Sequence, residues 1–87
     1  MRRRLLVSGR VQGVWYRETC RAEATTRGVA GSVRNLPDGR VEVVLEGAPA
    51  AVAAVEEWCQ EGPRRAHVEA VDARDEPPVG ATGFEVR

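Results

Sequence analysis

The 87-residue chain contains no lysine, no isoleucine and no long run of hydrophobic residues. All 13 basic residues are arginine, which we attribute to nucleotide-composition bias, so an arginine is by itself weak evidence of function. The hydrophobic stretch near the N-terminus, residues 5–7, is too short for a secretion signal or a membrane span. We therefore expect a cytoplasmic protein without membrane contact, in which Arg2, Arg3 and Arg4 form a solvated N-terminal arm.

An excess of positive charge is also absent, because 13 acidic residues balance the 13 arginines. A chain without net positive charge is a poor candidate for binding long DNA or RNA. Aromatic residues are scarce as well, and the only ones are Trp15, Tyr16, Trp58 and Phe84. No two of them pair on one predicted strand, as they would in a sheet that stacks RNA bases. We therefore expect no nucleic-acid partner.

Cysteine and histidine are too few to build a metal or disulfide framework. Cys20 and Cys59 match neither metal-ligand nor redox spacing, so we expect buried thiols on helix faces and leave a disulfide between them open. The one histidine, His67, is expected at the surface or at a strand edge. We predict no metal and no cofactor.

The hydrophobic periodicity predicts the element order β-α-β-β-α-β, followed by a short C-terminal strand. Predicted strands cover residues 3–8, 29–36, 41–46, 68–74 and 84–86; predicted helices cover residues 17–27 and a segment that begins at 47–49 and ends at 62–63. Pro37-Asp38-Gly39 between two alternating segments predicts a β-hairpin. This order is typical of the ferredoxin-like split β-α-β fold, an α+β class with two helices on one face of an antiparallel sheet. We expect a single domain over residues 1–87.

The segment from Gly9 to Arg17, which we call the cradle, joins the first predicted strand to the first predicted helix. Glycines flank the turn and an arginine stands where the helix begins. Backbone N–H groups, a helix N-terminus and a guanidinium all attract small oxyanions. The cradle is therefore predicted to bind phosphate.

Two motifs give the chain a resemblance to the acylphosphatase family over nearly its whole length. The cradle resembles the family pattern V-x-G-x-V-Q-G-V-x-[FY]-R, and residues 31–42 resemble G-x-V-x-N-x-x-D-G-x-V-E. Two long motifs in the same order and at the same spacing are far more specific than a lone glycine-rich turn. The resemblance implies a single acylphosphatase-like domain that hydrolyses the carboxyl–phosphate bond of small acyl phosphates by direct water attack, without a metal.

By this resemblance, Arg17 would bind the phosphate and Asn35 would position the attacking water. The remaining phosphate-binding residues would be Gln12, Gly13, Val14, Trp15 and Tyr16, with inorganic phosphate or sulfate as competing anions. The residue types suit the chemistry, because guanidinium matches phosphate oxygens and an amide both accepts and donates hydrogen bonds. A carboxylate leaving group requires no strong general acid.

Several alternatives remain open from the sequence. Gln12 either lines the pocket or caps the loop, and Trp15 either forms a wall of the acyl pocket or covers apolar surface. Tyr16 is expected to pack beneath the helix. The alternative function is a non-catalytic acylphosphatase-like module that binds a phosphorylated metabolite. A monomer is expected in either case.

Overall fold

The computed structural model describes all residues 1–87 and contains one five-stranded sheet and two helices. The elements are β1 (Arg2–Arg10), α1 (Tyr16–Thr26), β2 (Ala30–Asn35), β3 (Val41–Glu46), α2 (Pro49–Glu61), β4 (His67–Glu76) and β5 (Phe84–Val86). The strand order across the sheet is β4-β1-β3-β2-β5. The predicted element order and the ferredoxin-like α+β class are confirmed.

Four strands pair antiparallel, and the fifth does not. β1 lies between β3 and β4, and β2 forms the predicted hairpin with β3. The short β5 pairs parallel with β2, so the sheet is mixed rather than wholly antiparallel. The segment 77–83 leads from β4 at one edge of the sheet to β5 at the other, where β5 runs in the same direction as β2. As a result, the C-terminal end of β5 lies at the same end of the sheet as the end of β2.

Both helices pack on one face of the sheet and bury one stripe each. Helix α1 packs on β2 and β5, whereas α2 packs on β1 and β4. The buried stripes are Tyr16, Cys20 and Ala24 on α1 and Val52, Val55 and Cys59 on α2. Burying each of the larger of these side chains adds about 1.5–3 kcal/mol to the free energy of unfolding. Cys20 and Cys59 are free, fully buried thiols, as predicted for helix faces.

The N-terminal arginines differ from the prediction, because they do not form a solvated arm. Arg2, Arg3 and Arg4 belong to β1 and are only partly exposed. Each bridges two carboxylates: Arg2 to Glu46 and Glu76, Arg3 to Glu56 and Asp75, and Arg4 to Glu42 and Glu76. The prediction was wrong because the acidic partners lie 38 or more residues away in the sequence and meet β1 only in the sheet.

No helix in the chain has both the length and the apolar character needed to cross a membrane.

Candidate functional site

The cradle begins where β1 is distorted by a β-bulge. The β1–β4 register shifts between Ser8 and Gly9, as the out-of-phase apolar residues near the start of β4 suggest. Gly9 has φ +120°, and a Cβ there would overlap the main-chain oxygen of His67 and the main-chain nitrogen of Glu69. Only glycine permits this close approach of two strands. Pairing with β3 ends at Val7, whereas pairing with β4 continues past the bulge to Arg10, after which the chain turns toward α1.

The backbone φ angles of the cradle alternate in sign from Gly13 to Tyr16. Gly13 has φ +74° and Trp15 has φ +66°, whereas Val14 between them and Tyr16 after them have negative φ. Trp15 is the only non-glycine residue with positive φ, and it is the N-cap of α1. Alternating hands of this kind turn successive N–H groups toward one side and form an anion-binding nest.

The amides of this nest have no partner within the chain. None of the main-chain N–H groups of residues 12–15 donates a hydrogen bond within the chain. The next N–H group along the chain that does so is that of Thr19 in α1, which donates to the Trp15 oxygen at 3.1 Å. The unpaired amides lie next to the positive end of the α1 dipole. The segment therefore presents several oriented donors to one point.

A cavity of about 320 Å³ opens over the cradle. It brings together the two residues that the sequence predicts to be catalytic, Arg17 from the first turn of α1 and Asn35 from the end of β2. They are 18 positions apart in the sequence and meet because β2 ends beside the loop that follows β1. The residues lining the cavity are Val11, Gly13, Trp15, Tyr16, Arg17, Glu18, Asn35 and Val86.

The guanidinium of Arg17 is held by one hydrogen bond. Its Nη1 donates to the main-chain oxygen of Arg87 at 2.7 Å. No Asp or Glu side chain forms an ion pair with Arg17. The remaining guanidinium N–H groups are free to face the cavity, in the planar arrangement that matches phosphate oxygens.

Asn35 is the last residue of β2 and is exposed at the hairpin end. Its main chain pairs with Val41, which fixes the position of its Cα. Its side-chain amide makes no hydrogen bond within the chain. The carbonyl oxygen and the NH₂ group are both available to a water molecule in the cavity.

Gln12 and Val14 belong to the cradle but do not line the cavity. The side chain of Gln12 donates to the main-chain oxygens of Leu36 and Arg40, at 2.9 and 3.0 Å. Val14 is 5% exposed and packs in the core. Of the two roles that the sequence left open for the Gln12 side chain, the structure has it hold the loop to the hairpin. Any contact of these two residues with phosphate would be made through their amides.

Tyr16 supports the floor of the cavity. Its side chain is 1% exposed, and its hydroxyl donates to the main-chain oxygen of Cys59 at 2.7 Å. Its ring lies 5.4 Å from that of Trp58. Burial, followed by the influence of the Cys59 thiol, raises the pKa of Tyr16 far above the ordinary value, so the hydroxyl stays protonated. Tyr16 therefore joins α1 to α2, as predicted for a residue that packs beneath the helix.

Trp15 projects from the rim of the cavity and is 73% exposed. An exposed tryptophan in a left-handed conformation combines backbone strain with little burial, and such strain is found mainly at functional sites. The sequence alternatives were a wall of the acyl pocket or a cover for apolar surface. A side chain this exposed covers little of its own protein, which favours the wall.

Four residues near the site were not identified as site residues from the sequence, although one of them, Val11, lies in the predicted cradle. Glu18 and Val86 line the cavity, and the main-chain oxygen of Arg87 contacts Arg17. Val86 and Arg87 reach the site because β5 pairs parallel with β2, and no local pattern reports the direction of a three-residue strand. Glu18 could have been found, since it lies one residue after Arg17 in the first helical turn.

Ion pairing leaves positive charge at the cradle end of the molecule. Nine of the 13 arginines pair with a carboxylate. The four that do not are Arg10, Arg17, Arg64 and Arg65. Arg10 lies opposite the exposed His67 in the sheet, and the loop carrying Arg64 and Arg65 follows Gly62, which lies against the Tyr16 ring. Two of the four arginines without a carboxylate side-chain partner thus belong to the cradle, and the other two follow a glycine that lies against Tyr16.

Comparison with known proteins gives a consistent result. The family model described as Acylphosphatase matches residues 3–86. The acylphosphatase of Haloarcula marismortui is 56% identical over 86 residues, covering 99% of this chain and 94% of that protein. That of Rubrobacter xylanophilus is 56% identical over 85 residues, covering 97% and 77%. The crystal structure of acylphosphatase from Bacillus subtilis superposes with a TM-score of 0.94 at 33% identity, covering 99% and 97%.

Proposed function

Since the chain belongs to the acylphosphatase family, and so hydrolyses acyl phosphates, we propose that water attacks the phosphorus directly, with Arg17 and the cradle amides binding the phosphate and Asn35 positioning the water. Membership of the family disfavours the alternative of a non-catalytic binding module. The observation that carries the proposal is the shared cavity, which Arg17 and Asn35 both line.

The cradle would hold the phosphoryl group by charge and by directed amides. The unpaired amides from residue 12 onward and the α1 dipole would bind two of the equatorial oxygens, and the guanidinium of Arg17 would bind a third. Phosphoryl transfer passes through a loose transition state with charge spread over these oxygens, so donors fixed in advance lower the barrier. No side chain needs to form a covalent bond.

The water step would depend on Asn35. Its amide oxygen accepts a hydrogen bond from the attacking water, which fixes the direction of the lone pair toward phosphorus. The water oxygen forms the new P–O bond as the bond between phosphorus and the acyl oxygen breaks. The electron pair leaves with the carboxylate, and the water proton passes to solvent or to the phosphate product. The carboxylate is a good leaving group, so neither a strong base nor an acid is needed.

The direct test is substitution of each residue in turn. We expect Arg17→Ala and Asn35→Ala each to lower kcat for acetyl phosphate by roughly 10² or more, the scale of one lost transition-state contact. Arg27→Ala is the matched control, because Arg27 is an exposed arginine at the other end of α1. Activity near that of the unaltered protein in either folded variant would reject the proposed role of that residue. The reaction is expected to proceed unchanged in a chelator, and inorganic phosphate or sulfate to compete with the substrate.

We further propose that residues 1–87 fold as one domain and act as a monomer in the cytoplasm. One sheet and one core cluster account for the buried residues, which supports a single cooperative unit. Only three large hydrophobic side chains are exposed, and they lie in separate segments of the chain: Met1 before β1, Trp15 in the cradle and Val79 in the loop between β4 and β5. The two free thiols fit a reducing compartment. Light scattering after size exclusion tests the monomer, one urea transition tests the domain, and cell fractionation tests the location.

A further inference from the structure

Glu46, at the end of β3, is a buried carboxylate that takes no direct part in the proposed chemistry. It is 8% exposed and receives four hydrogen bonds. The main-chain N–H of Val79 donates to Oε1 at 3.2 Å, and those of Gly80 and Ala81 donate to Oε2 at 2.8 and 3.1 Å. Arg2 Nη1 donates to Oε1 at 3.0 Å. A single side chain thus fixes three consecutive amides of one loop.

That loop, residues 77–83, is the only connection between β4 and β5, and we call it the strap. β4 and β5 lie at opposite edges of the sheet, four strand spacings or about 19 Å apart. The eight residue steps from Glu76 to Phe84 can span about 28 Å at most. The strap therefore has little slack, and Glu46 on the central strand β3 holds it midway.

The strap determines where β5 lies, and β5 determines the surroundings of Arg17. β5 has only three residues and pairs with one neighbour, β2, through bonds that include Gly31 N–H to the Gly83 oxygen at 2.9 Å and Arg87 N–H to the Val33 oxygen at 2.8 Å. At the end of β5 the Arg87 oxygen accepts the hydrogen bond of Arg17, at 2.7 Å. A continuous series of hydrogen bonds and covalent links thus joins Glu46 to the phosphate-binding guanidinium.

We propose that Glu46 is a positioning residue for Arg17: by fixing the strap it holds β5 in place, so that the Arg87 oxygen orders the guanidinium before phosphate binds. The inference rests on the proposed role of Arg17. Ordering a long side chain on binding costs free energy, and a guanidinium that is already ordered avoids most of that cost. The effect is expected on phosphate affinity, because the series of links from Glu46 ends at the guanidinium of Arg17 and includes no contact with the side chain of Asn35.

Three substitutions separate the contributions of Glu46. Glu46→Ala removes every bond to the strap. Glu46→Asp keeps the charge beside Arg2 but withdraws the carboxylate by one methylene, away from the strap. Glu46→Gln removes the charge but keeps an oxygen that can accept from the Gly80 and Ala81 amides. Glu56→Ala is the matched control, since Glu56 is a similarly buried carboxylate paired with Arg3 on the helix side of the sheet and makes no hydrogen bond to the strap.

The experiment measures kcat and KM for acetyl phosphate and the inhibition constant for inorganic phosphate, on variants shown by circular dichroism to be folded. We expect Glu46→Ala to raise KM and the phosphate inhibition constant together by roughly three- to tenfold, with kcat within twofold. Glu46→Asp should shift both in the same direction, Glu46→Gln should restore both to within twofold, and Glu56→Ala should leave both unchanged. Should Glu46→Ala fail to fold, the Asp and Gln variants carry the comparison.

A readout independent of catalysis keeps this test apart from that of the proposed function. ¹⁵N relaxation of the Arg17 Nε–H group reports the order of the guanidinium in the absence of substrate. We expect a lower order parameter in Glu46→Asp than in Glu46→Gln. Equal Arg17 order in the two variants, or unchanged KM and inhibition constant in folded Glu46→Asp, would overturn the inference. An altered Arg17 order with active Arg17→Ala would instead reject the role of Arg17 and leave the positional link standing.

Discussion

The side-chain amide of Gln12 donates a hydrogen bond of 2.9 Å to the main-chain oxygen of Leu36, one residue beyond Asn35. The same nitrogen donates to the Arg40 oxygen at 3.0 Å. One side chain thus holds the phosphate-binding loop against the hairpin that carries Asn35. In the proposed mechanism, this link would set the distance between the bound phosphate and the attacking water.

Gln12→Glu tests the link with almost no change of shape. Glutamate has no N–H to donate and would face two carbonyl oxygens, so we expect a loss of about 1–3 kcal/mol in the free energy of unfolding. Displacement of the loop relative to Asn35 should lower kcat/KM roughly tenfold or more. Urea unfolding and acetyl phosphate kinetics measure the two effects. Gln60→Glu, on the exposed face of α2, controls for the added charge and should alter neither quantity.

Trp15 is predicted to influence the choice of acyl group more than the rate of the chemistry. Replacing it with glycine relieves about 1–2 kcal/mol of left-handed strain but adds unfolded-state entropy, so stability should change little. Loss of the ring should raise KM for benzoyl phosphate by a factor roughly three- to tenfold larger than the factor by which it raises KM for acetyl phosphate. Trp15→Asn, which tolerates φ +66°, should behave alike. Equal effects on both substrates would show that the ring is not a wall of the acyl pocket.

The unpaired arginines predict salt-dependent substrate capture. Charges separated by more than about 10 Å are largely screened at 0.1 M salt. We therefore expect kcat/KM to fall roughly several-fold when sodium chloride is raised from about 10 to about 200 mM. Arg64→Gln/Arg65→Gln should flatten this dependence. The control Arg27→Gln/Arg74→Gln removes the same charge from paired, exposed arginines. If both pairs flatten the curve equally, net charge and not its placement governs capture.

Acid should destabilise the sheet through three carboxylates with lowered pKa values, Glu42, Glu46 and Glu76. A hydrogen bond from Arg4 is the main cause that lowers the pKa of Glu76. At Glu46, burial acts to raise the pKa, but the hydrogen bonds from the strap amides and Arg2 together lower it by more. Glu42 follows the Glu46 pattern: burial opposes, and Arg34 and Arg4 lower its pKa.

Because these pKa values lie below the usual 4.5, the unfolded chain binds more protons in mildly acid solution. The stabilisation is therefore complete above about pH 5 and is lost as the pH falls below 4.5 through the folded-state values. Urea unfolding between pH 7 and pH 3 should show this decline. Glu76→Gln should reduce its steepness, and Glu57→Gln, an exposed helix residue without an ion pair, should not. A profile that is flat down to pH 3 would contradict the prediction.

The local elements could be predicted because each has a local physical cause. Pro37 and Gly39 favour the hairpin turn, Gly28 with φ +69° ends α1, and Pro49 begins α2. The cradle could also be predicted from the sequence, because the left-handed backbone at position 13 needs a glycine and phosphate binding favours an arginine nearby. The errors were of another kind: the arginines at positions 2–4 looked solvated because their carboxylate partners are distant in sequence.

What the sequence determined by itself is the order of the elements, the cradle and the residue types for phosphate chemistry, because backbone propensity and residue chemistry act over a few positions. The tertiary structure decided what those residues meet. It made β5 parallel to β2, so that the Arg87 oxygen reaches Arg17; it directed Gln12 to the hairpin; and it buried Glu46 beneath the strap. These contacts depend on strand register and crossover direction, which the whole sheet sets together and no short segment encodes.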